Sequence, residues 1–303
     1  LPPGVDLCAI PAAAPPEGHI PNFANPVDLS VETLAVGAVF TVVATIYFVG
    51  RLYTNRNRMK WADYLTIIGF CMSAAYTGII MALYPYARHQ YDMPACWYTT
   101  DHIWKLLFAQ NMLLGLTQFF VKAAILVVFF QLFAVNKKMR WVIYSGVIFS
   151  GLIYLPHPIL VAIFNTPRAG ERWADLATNG RPQMLTFYAP IHGFGSVILD
   201  IFIFLVPLLI LGKLHVPTKK RLQLMAVFAV GILGIISSIF SCYWRMDMLV
   251  SSNTDYTWRQ AQLFIWIMVE HNAALIAGSM PAVAAFVRTN VAGSTFVSSL
   301  RSR

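Results

Sequence analysis

The sequence predicts an all-α protein, a bundle of seven transmembrane helices with the N-terminus outside and the C-terminus in the cytoplasm. Three observations predict it: a shortage of charge, a division into apolar blocks, and an uneven placement of basic residues. Of the 303 residues, 58% are hydrophobic and 12% charged, and the mean hydropathy is +0.62. A soluble domain carries about 25% charged residues, so the solvent here is lipid.

The apolar blocks lie near 32–54, 62–84, 104–134, 141–164, 185–212, 222–249 and 260–287. Six are clearly long enough to cross ~30 Å of hydrocarbon as helices, and the block near Asp63–Leu83 makes the seventh with a short margin. They are continuous rather than alternating, which favours helices over a barrel.

Sidedness follows from the connections. Those after the first, third and fifth blocks hold Arg51, Arg56, Arg58 and Lys60, then Lys137, Lys138 and Arg140, then Lys213, Lys219, Lys220 and Arg221. With Arg288, Arg301 and Arg303 of the tail, one side has fourteen basic residues. The other has six: Arg88, Lys105, Arg168, Arg172, Arg181 and Arg259. Positive charge stays in the cytoplasm, which sets the orientation. The net charge of +9 therefore reports topology and contact with anionic membrane lipid. Nucleic-acid binding is excluded, since no folded domain is left to carry it.

The chain divides into an extracellular arm, 1–30, a membrane domain, 31–290, and a cytoplasmic tail, 291–303. The arm is rich in Pro and Ala and reads as extended. Its start at Leu1 is consistent with removal of a leader, of which no signal-peptide pattern remains. Asp28 or Ser30 is placed to cap the first helix, with Glu32 in its first turn. Loop 85–103 is rich in Tyr, His and Trp and suits the outer interface. Loop 165–184 is the longest connection; it has the length to form a lid, and its polarity is that of a solvated loop. Cys71 and Cys242 fall inside helices as small core residues. Cys8 and Cys96 both fall on the oxidising side, where a disulfide would tie the arm over loop 85–103; the alternative is two free thiols. No CxxC or Cys/His metal spacing occurs. The glycines of GFGS, 193–196, lie within a helix without a preceding strand and are not a phosphate loop.

Polar residues inside the blocks line up at helical spacing. The third block aligns Asn111, Gly115, Gln118 and Lys122. The fifth aligns Tyr188, His192, Ser196 and Asp200, and the sixth Gly231, Gly234, Ser238, Ser241 and Arg245. The seventh adds Trp266, Glu270, Ala273 and Ala277, and the fourth offers His157 between two bending prolines, Pro156 and Pro158. At a rise of about 1.5 Å per residue, Lys122 and Asp200 come out near the midplane and Glu270 a little outward. His157, His192 and Arg245 lie further out, with Asp247 at the edge. This describes a cavity open to the outer half, floored by Lys122 and Asp200, with Glu270 and His271 on its wall.

Charged groups at this depth are costly and are either paired or functional. Lys122 and Asp200 read as a structural ion pair. Asp63 reads as a cap or ion pair beside Lys60 and Arg58. The glycines and serines of the sixth block read as packing residues. Glu270 has no Lys or Arg one turn away on its own helix. In a weakly polar cavity such a carboxyl would hold its proton and serve as a donor; paired to Arg245 it would stay charged. His271 and Asn272 point elsewhere on the helix and hold it against neighbours.

A retinal chromophore is excluded, because the seventh block has no lysine for a Schiff base. The third block ends without D-R-Y and the seventh lacks N-P-x-x-Y, so animal receptors are a poor match.

A better match carries most of these residues. Ala62-Asp63-Tyr64-Leu65, Lys122-Ala123-Ala124-Ile125-Leu126, Asp200-Ile201-Phe202-Ile203-Phe204-Leu205-Val206-Pro207, Ala229-Val230-Gly231, Asp255-Tyr256-Thr257-Trp258, and Glu270 followed by Pro281 recur in order. Over residues 32–290 the chain resembles the fungal rhodopsin-like integral membrane family, named from a satratoxin-cluster protein and related to plant-pathogen surface receptors of the Pth type. One departure is that the usual cysteines after helix 4 and before helix 5 are absent; the loop has Asn165-Thr166-Pro167 and Trp173 instead.

The resemblance implies a multi-pass protein of a fungal endomembrane or plasma membrane, and two functions. The first is a cofactor-independent biosynthetic cyclase or isomerase for a lipophilic prenylated or polyketide intermediate. Glu270 would be its acid, with Asp200, His192 or Asp247 taking the proton back. Tyr188, Trp244 and Trp266 would face a carbocation. Asn111, Gln118, His157, Arg245 and His271 would complete the substrate wall. A metal held by His157, His192 and His271 lacks local ligand spacing. The second function is a small-molecule receptor without turnover, for which the short inner loops are poor material. A transporter ranks third, since no inverted repeat is evident.

Overall fold

The structure, a computed structural model, describes residues 6–133, 137–211, 218–250 and 255–287. Lys213, Arg288 and the tail 291–303 lie outside the described residues. All named elements are helical: α1 Ser30–Asn55, α2 Trp61–Ala82, α3 Asp101–Phe133, α4 Lys137–Tyr154, α5 Pro156–Phe164, α6 Tyr188–Leu211, α7 Thr218–Val250 and α8 Tyr256–Phe286. Short 3-10 turns fill the connections at 84–99 and 173–187. Taking α4 and α5 as one broken span, seven helical segments among the described residues are long and apolar enough to cross a membrane.

Consecutive spans pack side by side, α8 closes the ring against α1, and α3 meets α8 through the middle. The apolar windows of α3 and α8 are 67% and 72% buried, against 17% for α1, which marks those two as the central helices. The outer face is apolar. Val39, Val42, Ile46 and Val49 of α1, Ile148 and Leu152 of α4, and Ile232, Ile236 and Ile239 of α7 are all exposed at helical spacing. Charged and polar side chains are inside: Arg51, Asp63, Lys122, Arg245 and Glu270 are each more than nine-tenths buried. A water-soluble bundle would be arranged the other way round, so this chain is a multi-pass membrane protein. Exposed Tyr53, Trp61, Tyr64, Trp141 and Tyr144 form an aromatic belt near one end of the bundle. Cys71 also faces outward, contrary to its expected place in the core, whereas Cys242 is buried.

Two corrections concern helix ends. The N-cap of α1 is Leu29, with no side-chain cap bond, rather than Asp28 or Ser30; the Asp28 carboxylate instead accepts from the N–H and the hydroxyl of Ser30 at 3.1 and 2.6 Å. Asp63 is not paired with Lys60 or Arg58. Its partners are Arg51 Nε at 2.8 Å and Asn55 Nδ2 at 2.8 Å, while it also accepts the Lys60 backbone N–H at 2.9 Å. Arg51 Nη1 donates to the Gly278 carbonyl at 2.8 Å. One buried ion pair thus ties α1, α2 and α8 together, and the structural role expected of Asp63 stands with a different cation.

The opposite end is capped by the N-terminal arm. Cys8 and Cys96 form a disulfide. Beside it the Ala12 N–H donates to the Met93 carbonyl at 2.8 Å and the Ala95 N–H to the Ile10 carbonyl at 2.9 Å. Asp92 accepts from the Asn22 N–H at 2.9 Å and meets His19 Nε2 at 3.0 Å. Asp255 of the α7–α8 connection holds His89 Nδ1 at 2.6 Å and the Gln90 N–H at 2.9 Å. Replacing both cysteines by serine is expected to speed amide exchange at Ala12 and Ala95 by an order of magnitude or more, leaving the thermal midpoint of the bundle nearly unchanged. A lipid-embedded sample analysed by hydrogen exchange checks this; unchanged exchange at those amides would mean that the backbone bonds alone hold the arm.

Loop 165–184 is exposed over much of its length, as its polarity suggests, and packs inward at Ala174 and Leu176. Trp173–Ala177 forms a turn that buries Leu176, and the Ala174 N–H bonds Asp101 at the start of α3 at 3.0 Å. Glu171 is ion-paired with Arg181. The Arg168 backbone N–H, 2.8 Å from its carboxylate, and then Arg181 hold that carboxyl below its usual range. Leu176 is buried while Arg172 and Ala177 are exposed, so one side of the connection packs inward and the other faces solvent.

Candidate functional site

The site begins with a helix break. Proline has no N–H to donate and its ring clashes with the preceding turn, so Pro156 ends α4 and starts α5. The break lies against Gly115 of α3. A Cβ at that position would sit 2.6 Å from the Tyr154 carbonyl oxygen and 3.0 Å from His157 Cβ. Only glycine permits this approach, which brings the His157 ring beside α3 and within 5.3 Å, centroid to centroid, of the His192 ring on α6.

A second glycine makes room on the other side. A Cβ at Gly193 would meet Cys242 Sγ at 3.0 Å and Arg245 Cδ at 3.3 Å, so the Arg245 side chain lies flat across α6. His157, His192 and Arg245 come from three helices and converge on one cavity of about 730 Å³. That volume suits a ligand of drug-like size, for which sites run to roughly 300–1,000 Å³.

The cavity reaches from these three residues up to the arm. Its upper rim includes Ala12 and Ala13 of the arm, Leu176 and Ala177 of loop 165–184, and Leu185 just before α6. Its walls are chiefly Tyr86, Tyr98, Trp104, Phe108, Leu263 and Phe264. Burial pushes the Tyr86 and Tyr98 hydroxyls up, so both stay protonated. Among the described residues that line it, Arg245 alone carries a full charge. Several buried polar atoms there have no hydrogen-bond partner: His157 Nδ1, both His192 nitrogens, Gln110 Oε1 and Arg245 Nε. A buried polar atom left unpaired costs ~1–3 kcal/mol, so such a cluster on a cavity wall marks a place for a ligand.

Beneath the cavity lies a separate charged layer. Lys122 Nζ contacts Asp200 Oδ1 at 2.9 Å, Glu270 Oε1 at 2.7 Å and Ser196 Oγ at 2.8 Å. Glu270 Oε1 also meets Ser196 Oγ at 2.6 Å, and the Tyr154 hydroxyl donates to Ser196 at 3.0 Å. Ser241 lies 3.4 Å from Glu270 Oε2. One ammonium here joins α3, α6 and α8.

The structure brings five of the expected substrate and catalytic residues to the cavity: Asn111, His157, Tyr188, His192 and Arg245. The Tyr188 hydroxyl is occupied, donating to the Ile153 carbonyl at 2.7 Å. Others are placed elsewhere, which corrects the expectation of a wall bearing Glu270 and His271 above a floor of Lys122 and Asp200. Glu270 and Asp200 line a small second cavity of about 50 Å³ between α3, α6, α7 and α8. Glu270 is paired neither with Arg245 nor left alone; its cation is Lys122, from a helix that one-dimensional spacing does not connect to it. Asp247 is salt-bridged to Arg259 at 2.8 Å. His271 packs edge-on against Tyr76 at 5.0 Å, away from the other two histidines, and no group of three metal-ligating residues forms among the described residues. Trp266 stacks on Phe240 at 4.4 Å and Trp244 packs on the cluster around Tyr76 and Ile80; neither lines the cavity. Gln118 is buried with its amide unpartnered, also outside the cavity. Asn272 bonds the Met268 carbonyl of its own helix at 2.8 Å. Lys122 and Asp63 form buried ion pairs, and Cys8 and Cys96 a disulfide.

Gln110, Trp104 and Phe264 are wall residues that the sequence reading missed. Gln110 had a signal, being an amide inside an apolar block next to Asn111.

Comparison with known proteins agrees with this architecture. The family description "Fungal rhodopsin domain" matches residues 46–289. A protein of Gibberella zeae named "Fugralins biosynthesis cluster protein 2" is 24% identical over 288 residues, covering 90% of this chain and 69% of that protein.

Proposed function

The chain belongs to the fungal rhodopsin family, and on that premise we propose that it is an intramembrane enzyme of fungal secondary metabolism that isomerises or cyclises a lipophilic intermediate by proton transfer. In this reading the cavity opens to the outer leaflet side. The biosynthetic-cluster name of the Gibberella zeae relative supports the metabolic setting. The observation that carries the chemistry is the pair of buried imidazoles, His157 and His192, with free ring nitrogens on one cavity wall.

A neutral imidazole takes a proton at one nitrogen and gives one from the other, which is what a cofactor-free isomerisation requires. His192 has both nitrogens free, while His157 lies against the Asn111 backbone carbonyl and keeps Nδ1 free. His192 is therefore the principal proton carrier and His157 its neighbour. A carbocation route fits less well. Among the described residues no carboxylic acid lines the cavity to start it, and the two expected tryptophans are outside. A fixed guanidinium 5 Å from a carbocation would oppose it by about 3 kcal/mol at an effective dielectric of about 20.

Co-expression of the neighbouring biosynthetic genes in a fungal host, with and without this chain, tests the reading. A product that forms only with the chain, with its precursor accumulating otherwise, is the expected result. Identical metabolite profiles would remove the enzyme reading and leave a ligand-binding receptor built on the same cavity.

A further inference from the structure

We infer that the cavity takes a ligand bearing an acidic oxygen group, a carboxylic acid or the enol of a 1,3-dicarbonyl, bound as its anion against Arg245. This rests on the reading of the cavity as a small-molecule site, and goes beyond it by naming the ligand's chemistry.

Arg245 is 7% exposed, its Nε has no hydrogen-bond partner, and no ion pair forms on it among the described residues. A buried guanidinium without a counter-ion is strongly unfavourable, so something must repay its desolvation. The nearby protein carboxylates are engaged elsewhere. Glu270 is an electrostatic neighbour, but its Oε1 is held by Lys122 at 2.7 Å and Ser196 at 2.6 Å. Asp247, two residues on, is bridged to Arg259 at 2.8 Å. Among the described residues that line the cavity there is no acid. The missing anion therefore comes from outside the chain.

The shape of the guanidinium selects among anions. Its planar fork matches two oxygens held in one plane, as in a carboxylate or a 1,3-dicarbonyl enolate. His192 lies on the same wall with neither ring nitrogen partnered, so it can donate an N–H to the group. Beyond them the wall is Tyr98, Trp104, Phe108, Leu263 and Phe264, which suits a lipophilic body. An acidic head and an apolar tail are thus both provided for within about 730 Å³.

The test uses the full chain in phosphatidylcholine nanodiscs with two probes, 6-(2-naphthyl)hexanoate and its methyl ester, empty nanodiscs supplying the background. Naphthyl fluorescence reads saturable binding. The acid is expected to bind about 10- to 100-fold tighter than the ester, as a charge-assisted hydrogen bond implies. Arg245→Gln is expected to abolish that preference, and Arg245→Lys to keep part of it. Because the substitution removes an unpaired buried charge, apo Arg245→Gln is expected to melt no lower than wild type, so a folded variant is available. Equal binding of acid and ester by wild type, or a preference that survives in Arg245→Gln, overturns the inference alone. Saturation by neither probe overturns the cavity reading with it. A preference for the acid in a chain that shows no turnover in the fungal host keeps the inference and moves it to the receptor reading.

Discussion

Lys122→Met is expected to destabilise the bundle by about 3–5 kcal/mol, the range for removing one partner of a buried ion pair. The lysine is 1% exposed and contacts Asp200, Glu270 and Ser196 within 3 Å. Methionine matches its length and apolar stem, so the loss isolates the ammonium. What remains is two buried carboxyls facing each other across the same space, with Ser196 and Tyr154 reoriented around them. The same reasoning gives the control. Lys122→Met combined with Asp200→Asn and Glu270→Gln leaves no buried charge in this layer and should recover most of the loss. Unfolding in mixed micelles under denaturant measures both. A loss below about 1 kcal/mol for the single variant, or a triple variant no more stable than the single, would mean that packing rather than charge holds α3, α6 and α8 together.

That cluster also shows how far the sequence could be read. Equal depth along the helices placed Lys122 opposite Asp200, because rise per residue is nearly constant and charges at one depth in lipid seek each other. Depth says nothing about azimuth. Glu270 was therefore weighed against cations on its own helix and against Arg245, while its actual partner stands across the bundle on α3. Asp63 shows the same limit at short range. Lys60 and Arg58 are near in sequence, yet Arg51, twelve residues earlier, reaches it because α1 and α2 are antiparallel neighbours. The break at Pro156 was legible because proline acts through local covalent geometry. The cavity was legible only in its lower half, where His157, His192 and Arg245 carry polar groups into apolar blocks. Its upper half consists of aromatic and aliphatic side chains from loops, and a run such as Leu176-Ala177 beside Glu171 and Arg172 has no periodicity to separate the inward from the outward face.

His192→Asn is expected to lower product formation in the fungal host by about 10²–10⁴-fold, the usual worth of a general acid–base group, with the fold retained. Asparagine keeps polarity and much of the volume at a site 1% exposed, and His192 has no hydrogen bond to lose. His157→Asn should cost less, because its ring is already engaged with the Asn111 backbone and flanks rather than replaces His192. Glu270→Gln separates this mechanism from one run by the carboxylates. It leaves Lys122 paired one-to-one with Asp200, and it lies outside the large cavity, so product formation should stay within a few-fold of wild type. Product-to-precursor ratios over time, with each protein's membrane level measured in parallel, give the comparison. If His192→Asn matches wild type while Glu270→Gln abolishes product at equal protein level, proton transfer belongs to the Lys122 layer. The small cavity beside Asp200 would then be the reacting one, and at about 50 Å³ it would have to open before any intermediate could enter. The opposite pattern places the reacting atoms beside the imidazoles, in a cavity already large enough to hold them.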